Sequence, residues 1–201
     1  MKVIIFDLGR VLVDYDHAQT LAGMAAISQV ASDEIRSLTA GDIGHKFGVG
    51  EMSAREFHAY LVAQAGMDAS FEAFIDAYAA GLARNEIALL YGRLLRLRPH
   101  HKIGILSNTN EAHVLWLRQH LPELQEFDSV IMSNEVGLAK PDAAIYELAL
   151  AQLGAKAKQA IFVDDLSENV RAAQALGLAG IVHENWRKTT SQLEKWLMSA
   201  A

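Results

Sequence analysis

The sequence predicts an α/β fold: a parallel sheet with helices on both faces, and a helical insertion after the first strand. Three observations predict it. Short, unalternating apolar runs recur at residues 3–6, Lys102–Leu106, Ser129–Met132, Ala160–Val163 and Ala179–His183. Such runs suit strands buried on both faces. Helical patterns at Asn110–His120, Asp142–Leu153 and Glu168–Leu176 separate the last four runs, and strands alternating with helices build βαβ units. Residues 14–98 break the alternation and hold no convincing strand.

The elements follow in order. Val3-Ile4-Ile5-Phe6 is β-branched and aromatic and reads as a central strand. In the insertion, Gly41, Gly44, Gly48 and Gly50 are expected to mark a loop between helices. Ser53 and Glu56 form a capping-box pattern that opens a helix with Phe57, Tyr60 and Leu61 on one face. Phe71, Phe74, Ile75, Tyr78 and Leu82 repeat at helical spacing and read as a small helical core. Pro141 is expected in a first helical turn, and Gly154 and Gly177 at helix C-caps. Leu193, Trp196 and Leu197 belong to a docked amphipathic helix. The expected division is residues 1–13 and 99–201 as the α/β core, and 14–98 as a helical cap.

Composition excludes several function classes. The 201 residues suffice for one core with a small appendage. A formal net charge of −6 argues against nucleic-acid or anionic-membrane binding. Without cysteine there is no disulfide, thiolate metal site or cysteine nucleophile. No apolar run approaches the length of a membrane span, and the N-terminal run is broken at Asp7, unlike a signal peptide. A cytoplasmic location is expected.

Four segments carry the chemistry. Open parallel sheets bind ligands beyond the C-terminal ends of their strands, where Asp7, Ser107 and the pair Asp164-Asp165 fall. An aspartate there can attack phosphorus and form an aspartyl-phosphate. Adjacent carboxylates near Asp7 would repel without a cation between them, and hard oxygen ligands favour magnesium. Asp165 and Glu168 also have capping-box spacing, so Asp165 has a second reading as a helix cap. Ser107 and Asn108 offer a hydroxyl and backbone N–H groups to a phosphate; Asn108 to Glu111 also reads as a helix start. Lys140, in a loop, is a mobile charge for a transferring phosphoryl group.

On these segments the chain resembles the haloacid dehalogenase-like hydrolase superfamily over nearly its whole length. The resemblance implies a Rossmann-like core with a cap that selects the substrate. It implies Asp7 as nucleophile, Ser107 in the second motif, Lys140 in the third, Asp164 and Asp165 in the acidic fourth, and Asn169 just after it. The opening Asp-Leu-Gly-Arg-Val-Leu-Val-Asp is similar to a branch of bacterial glucose-1-phosphatase-like proteins. The metal ligands so implied are Asp7, the Gly9 carbonyl, Asp164 and Asp165, with Ser107, Asn108 and Lys140 on the phosphoryl oxygens.

One departure stands out. The superfamily's phosphatases usually carry a second aspartate two residues after the nucleophile, as general acid and base; here that residue is Gly9. Such catalysis is typically worth ~10²–10⁴-fold in rate. Asp14, Asp16 and His17 are close in sequence and are candidates to replace it. Arg10, Asp16, His17, Lys46 and Arg84 are candidates for the pocket rim. The histidines show no metal-ligand spacing; His100-His101 is expected to be exposed, and His183, Trp186 and Arg187 to pack on the surface. The expected function is a Mg2+-dependent phosphatase acting through an aspartyl-phosphate on a small phosphorylated metabolite, expected to be a sugar phosphate, with sugar 1-phosphates as a narrower option. The alternatives are a 2-haloacid dehalogenase using the same aspartate, or a non-catalytic phosphometabolite-binding module. The paired acids argue against the dehalogenase.

Overall fold

The computed structural model describes residues 1–97 and 99–199. Its strands are β1 (Lys2–Phe6), β2 (Val13–Tyr15), β3 (Leu82–Arg84), β4 (His101–Ser107), β5 (Ser129–Met132), β6 (Ala160–Asp164) and β7 (Ala179–Val182). The helices before β4 are α1 (His17–Ala26), α2 (Ser32–Leu38), α3 (Gly41–Gly48), α4 (Ala54–Ala65), α5 (Phe71–Tyr78) and α6 (Glu86–Arg96). Those after it are α7 (Glu111–His120), α8 (Ser133–Val136), α9 (Ala143–Leu153), α10 (Ser167–Ala175) and α11 (Trp186–Met198).

Five strands form one parallel sheet in the order β5-β4-β1-β6-β7. Alternation along β1 feeds two cores. Ile4 and Phe6 join Ile103, Ile105, Val163, Leu117 and Leu193 on one face. Val3 and Ile5 join Leu106, Phe162, Ile145 and Tyr146 on the other. Both faces are covered by helices, which is why these strands read as unbroken apolar runs. Because β1 is central, the residue after it lies between the ends of β4 and β6.

The insertion has its own core, in which Leu21, Met24, Ile35, Phe47, Phe57, Leu61 and Phe74 are buried. The capping box of α4 is present: Glu56 N–H donates to Ser53 Oγ, and Ser53 N–H to Glu56 Oε2. Gly154 caps α9 with φ of 64°, and Gly177 follows α10 with φ of 90°.

Several expectations are corrected. The glycines from Gly41 to Gly48 lie in helix α3, not in a loop. The helix is held by Phe47, fully buried and stacked on Phe57 with ring centroids 4.2 Å apart. Gly44 serves close approach there, since a Cβ would lie 2.4 Å from the Thr39 carbonyl oxygen. Leu82 is not part of the helix of Phe71 and Phe74. It pairs with Tyr15 in the antiparallel ribbon of β2 and β3, strands too short to show alternation. Pro141 precedes α9, whose N-cap is Asp142. His101 opens β4 and is half-buried.

The sequence-based division at residue 98 falls outside the described residues. On its insertion side, α6 buries Ala88, Leu89 and Leu95 in the same cluster as Ile4 and Ile103. Among the described residues no helix is long and apolar enough to cross a membrane.

Candidate active site

Asp7 follows β1 directly, and its N–H donates to the Val163 carbonyl at 2.8 Å, which anchors it between β1 and β6. Ser107 ends β4 and Asp164 ends β6; both are buried. Lys140 reaches in from the loop before α9. Its Nζ donates to Asp7 Oδ1 at 2.7 Å and to Asp164 Oδ2 at 2.7 Å. It is therefore a buried, fixed charge, not the mobile one expected of a loop lysine, with its side chain 2% exposed.

Neighbours fix both ends of this arrangement. The Asn108 side chain binds the Lys140 backbone twice, accepting from its N–H and donating to its carbonyl, each at 2.8 Å. Asn108 thus spends its amide on positioning Lys140. The helix start belongs to Asn110, whose Oδ1 accepts from His113 N–H. Asp164 Oδ1 accepts from Leu166 N–H at 2.8 Å, and the Asn169 amide donates to both its oxygens. Asn169 is steadied in turn by Tyr146, whose hydroxyl donates to its carbonyl. Asp165 caps nothing: α10 starts after Leu166 without a side-chain cap.

One carboxylate oxygen from each of Asp7, Asp164 and Asp165 lies within 4.8 Å of the others. This all-oxygen set fits a hard divalent cation. Asp164 is the most heavily engaged of the three, so Asp7 and Asp165 have more acceptor capacity to offer. Burial raises the pKa of Asp7, and Asp164 adds to the rise, while Lys140 pulls it down; the net effect is upward. Burial would lower Lys140, but Asp7 and Asp164 outweigh it and hold the ammonium protonated. Burial and Asp164 also raise Asp165, against the opposing Arg10, whose Nη1 lies 3.7 Å away.

A cavity of about 390 Å³ opens over these groups, lined by Asp7, Gly9, Arg10, Tyr15, His17, Lys140, Asp165 and Asn169 among others. Arg10 holds a left-handed φ of 60°, uncommon for a side-chain residue and typical of functional turns. At Gly9 a Cβ would meet only Tyr15 Cβ, at 3.9 Å. The position is open, not filled by a neighbour.

Of the rim candidates, Arg10 and His17 line the cavity. Lys46 instead pairs with Asp42, and Arg84 with Glu86 and Glu123. Of the candidates to replace the missing acid, Asp14 accepts from Asn85 and Asp16 caps α1. Neither lines the cavity; His17 does, its Nδ1 3.1 Å from the Tyr15 hydroxyl. His183 bonds Thr189, and Trp186 donates to the Val11 carbonyl, both in packing roles.

Sequence reasoning missed Tyr15 and His113. Tyr15 lies on the unrecognised ribbon. His113 is buried on α7, with its ring 5.5 Å from Tyr15 and 4.9 Å from Tyr78. Burial pushes its imidazole down to about 4. Only its place on the inner face of α7 could have signalled it.

Known proteins resemble this chain over most of its length. The chain is 29% identical to a sesquiterpene phosphatase, astK, of Aspergillus oryzae, over 90% of this chain and 88% of that one. It is 26% identical to a D-ribitol-5-phosphate phosphatase of Bacteroides thetaiotaomicron, over 94% and 96%. A HAD family enzyme of Bacteroides thetaiotaomicron, solved with magnesium and inorganic phosphate, superposes with a TM-score of 0.81. It is 24% identical, covering 94% of this chain and 98% of that one, and shows the shared fold. The model of the haloacid dehalogenase-like hydrolases matches residues 1–177, and the chain belongs to that family.

Proposed function

We propose that the protein is a Mg2+-dependent phosphomonoesterase acting on a small phosphorylated metabolite through an aspartyl-phosphate on Asp7. The observation that carries this reading is Lys140 joining Asp7 and Asp164 at 2.7 Å each, with Asp165 completing a carboxylate cluster. The phosphatases among the relatives, and the neighbour solved with magnesium and phosphate, support it.

Asp7 attacks phosphorus, and the bond from phosphorus to the ester oxygen breaks. Lys140 holds Asp7 in line and balances charge gathering on the phosphoryl oxygens. The Ser107 hydroxyl and the backbone N–H groups after β4 bind those oxygens. Asp7, Asp164, Asp165 and the Gly9 carbonyl would hold Mg2+, which when bound supplies charge neutralisation at the phosphoryl group. Water then attacks phosphorus and frees Asp7. The helices α1–α5, on the β2–β3 ribbon, act as the cap.

Gly9 brings no proton to the leaving oxygen, so esters with acidic leaving groups gain most. Sugar 1-phosphates, which leave through an anomeric oxygen, are the favoured sugar phosphates. The test is phosphate release from a sugar-phosphate panel with Mg2+ or EDTA, for wild type and Asp7→Asn. The expected result is Mg2+-dependent release, lost in the variant and faster for 1-phosphates than for matched 6-phosphates. Release no greater than in Asp7→Asn across the panel would refute it and favour a binding module.

A further inference from the structure

A second cavity of about 180 Å³ adjoins the catalytic one, sharing Gly9, Tyr15 and Asn108 with it. The chain lacks a side chain at the shared Gly9, where a Cβ would find nothing nearer than 3.9 Å. The two spaces therefore meet where the superfamily's usual second aspartate would stand.

The walls of this inner chamber are divided. Leu8, Leu82, Leu117 and the rings of Tyr15 and His113 form one part, and the polar run Ser107–Asn110 forms the other. Its amides are already spent: Asn108 on the Lys140 backbone, and Asn110 on His113 N–H and the Tyr78 hydroxyl. His113 is a neutral ring at ordinary pH, since burial lowers it. Two hydroxyl residues also line it: Ser107, which ends β4 and binds phosphate in the reading above, and Thr109 just after it. A polyhydroxylated group pushed in here would outnumber the few polar atoms left to it, the unpartnered His113 Nε2 among them, and leave hydroxyls unpaired, which is costly. A hydrocarbon would lose nothing. An apolar cavity of ~150 Å³ is enough to hold benzene, so this chamber fits an aryl ring or a branched chain of about five carbons.

We propose that the inner chamber is a subsite for a compact hydrocarbon or aryl group on the alcohol side of a phosphate monoester. This rests on the phosphomonoesterase reading for its kinetic test, but not for its binding test. The substrate class gained is an alkyl or aryl monophosphate, with phosphorus over Asp7 and the carbon group passing Gly9 into the chamber. More hydrophilic esters are confined to the outer cavity.

Two measurements test it, with wild type and Leu82→Trp, a chamber-filling change at a half-buried position outside the catalytic groups. The first is phenol titration followed by methyl NMR. Shifts at Leu8, Leu82 and Leu117 at millimolar phenol, lost in the filled variant, are expected; none up to ~20 mM would overturn the proposal whether or not the protein is a phosphatase. The second compares kcat/KM for isopentyl and methyl phosphate, whose leaving oxygens are both simple alkoxides. Isopentyl phosphate should lead by ~10-fold or more, and Leu82→Trp should bring the ratio near one. A wild-type ratio near one would overturn the subsite. If Leu82→Trp does not fold, Leu82→Ala serves instead: the enlarged chamber should move the optimum to longer chains, and an unmoved optimum would count against it. Release absent for every ester, with phenol binding intact, would refute the phosphatase reading and leave the subsite standing.

Discussion

Lys140 Nζ lies 2.7 Å from Asp7 Oδ1, and the same ammonium lies 2.7 Å from Asp164 Oδ2. One buried cation thus serves two buried carboxylates. The nucleophile is kept usable by a charge that is itself kept protonated by the nucleophile. This mutual dependence makes the two partners unequal when removed.

Lys140→Met strands Asp7 and Asp164 against each other without a cation. Breaking a buried pair in this way costs about 3–5 kcal/mol. Asp7→Asn leaves the pair of Lys140 with Asp164 intact and should cost less. Urea unfolding without metal should rank wild type above Asp7→Asn, and Asp7→Asn above Lys140→Met. Equal stability of the two variants would show that the ammonium is balanced elsewhere. Both should lose phosphate release.

Asn108 holds the Lys140 backbone by two hydrogen bonds of 2.8 Å. Asn108→Ala removes both, at about 0.5–1.5 kcal/mol each, and lets the lysine drift from Asp7. Turnover should fall by ~10-fold or more while the Mg2+ concentration giving half-maximal rate stays put. Asn108→Asp keeps the acceptor for Lys140 N–H and loses the donor, so its rate should fall between the two. A rate for Asn108→Asp at or below that of Asn108→Ala would refute this positioning role.

The sheet was legible because its inner strands β1, β4 and β6 are buried on both faces, which turns them into unbroken apolar runs. Asp7, Ser107 and Asp164 were legible for the same reason, as polar residues ending such runs. The partnerships were not. Nothing in the order of residues says that Asn108 turns to Lys140, or that Asp16 caps α1 rather than facing the cavity. Those choices are made by loops whose geometry comes from tertiary packing. The ribbon of Val13–Tyr15 with Leu82–Arg84 pairs segments far apart in the chain through three residues each, too few for a period to register. With the ribbon went Tyr15 and the inner chamber. In α3, glycines that usually break helices are kept helical by the burial of Phe47.

His113 makes stability depend on acid. Its folded pKa is lowered, chiefly by burial, from 6.5 to about 4. Between those values the unfolded chain binds a proton that the folded chain does not. Stability is therefore full above 6.5 and falls as pH drops toward 4. By about pH 5 the loss from this residue alone is about 2 kcal/mol. His113→Phe, which keeps a ring between Tyr15 and Tyr78, should show a shallower fall in urea midpoint between about pH 7 and pH 5. Parallel pH profiles for the two proteins would remove His113 as the cause.

Gly9→Asp asks whether this site lacks only a proton donor. The position is sterically open: a Cβ added there would lie 3.9 Å from Tyr15 Cβ, and Gly9 has no positive φ to strain a side chain. The backbone carbonyl is unchanged by the substitution. A new carboxyl would enter beside Asp7, Asp164 and Asp165, whose negative charge raises its pKa and favours the protonated form. That form can protonate a departing alkoxide, and its conjugate base can then activate water. General acid–base help is worth ~10²–10⁴-fold at most, and an unoptimised donor should supply the lower part of that range. The gain should fall on poor leaving groups: sugar 6-phosphates should speed up by ~10-fold or more, and sugar 1-phosphates should change little. The ratio of the two rates, with melting temperature as a check on folding, is the measurement. An unchanged ratio in a stably folded variant would mean that His17 with Tyr15, or water, already delivers the proton.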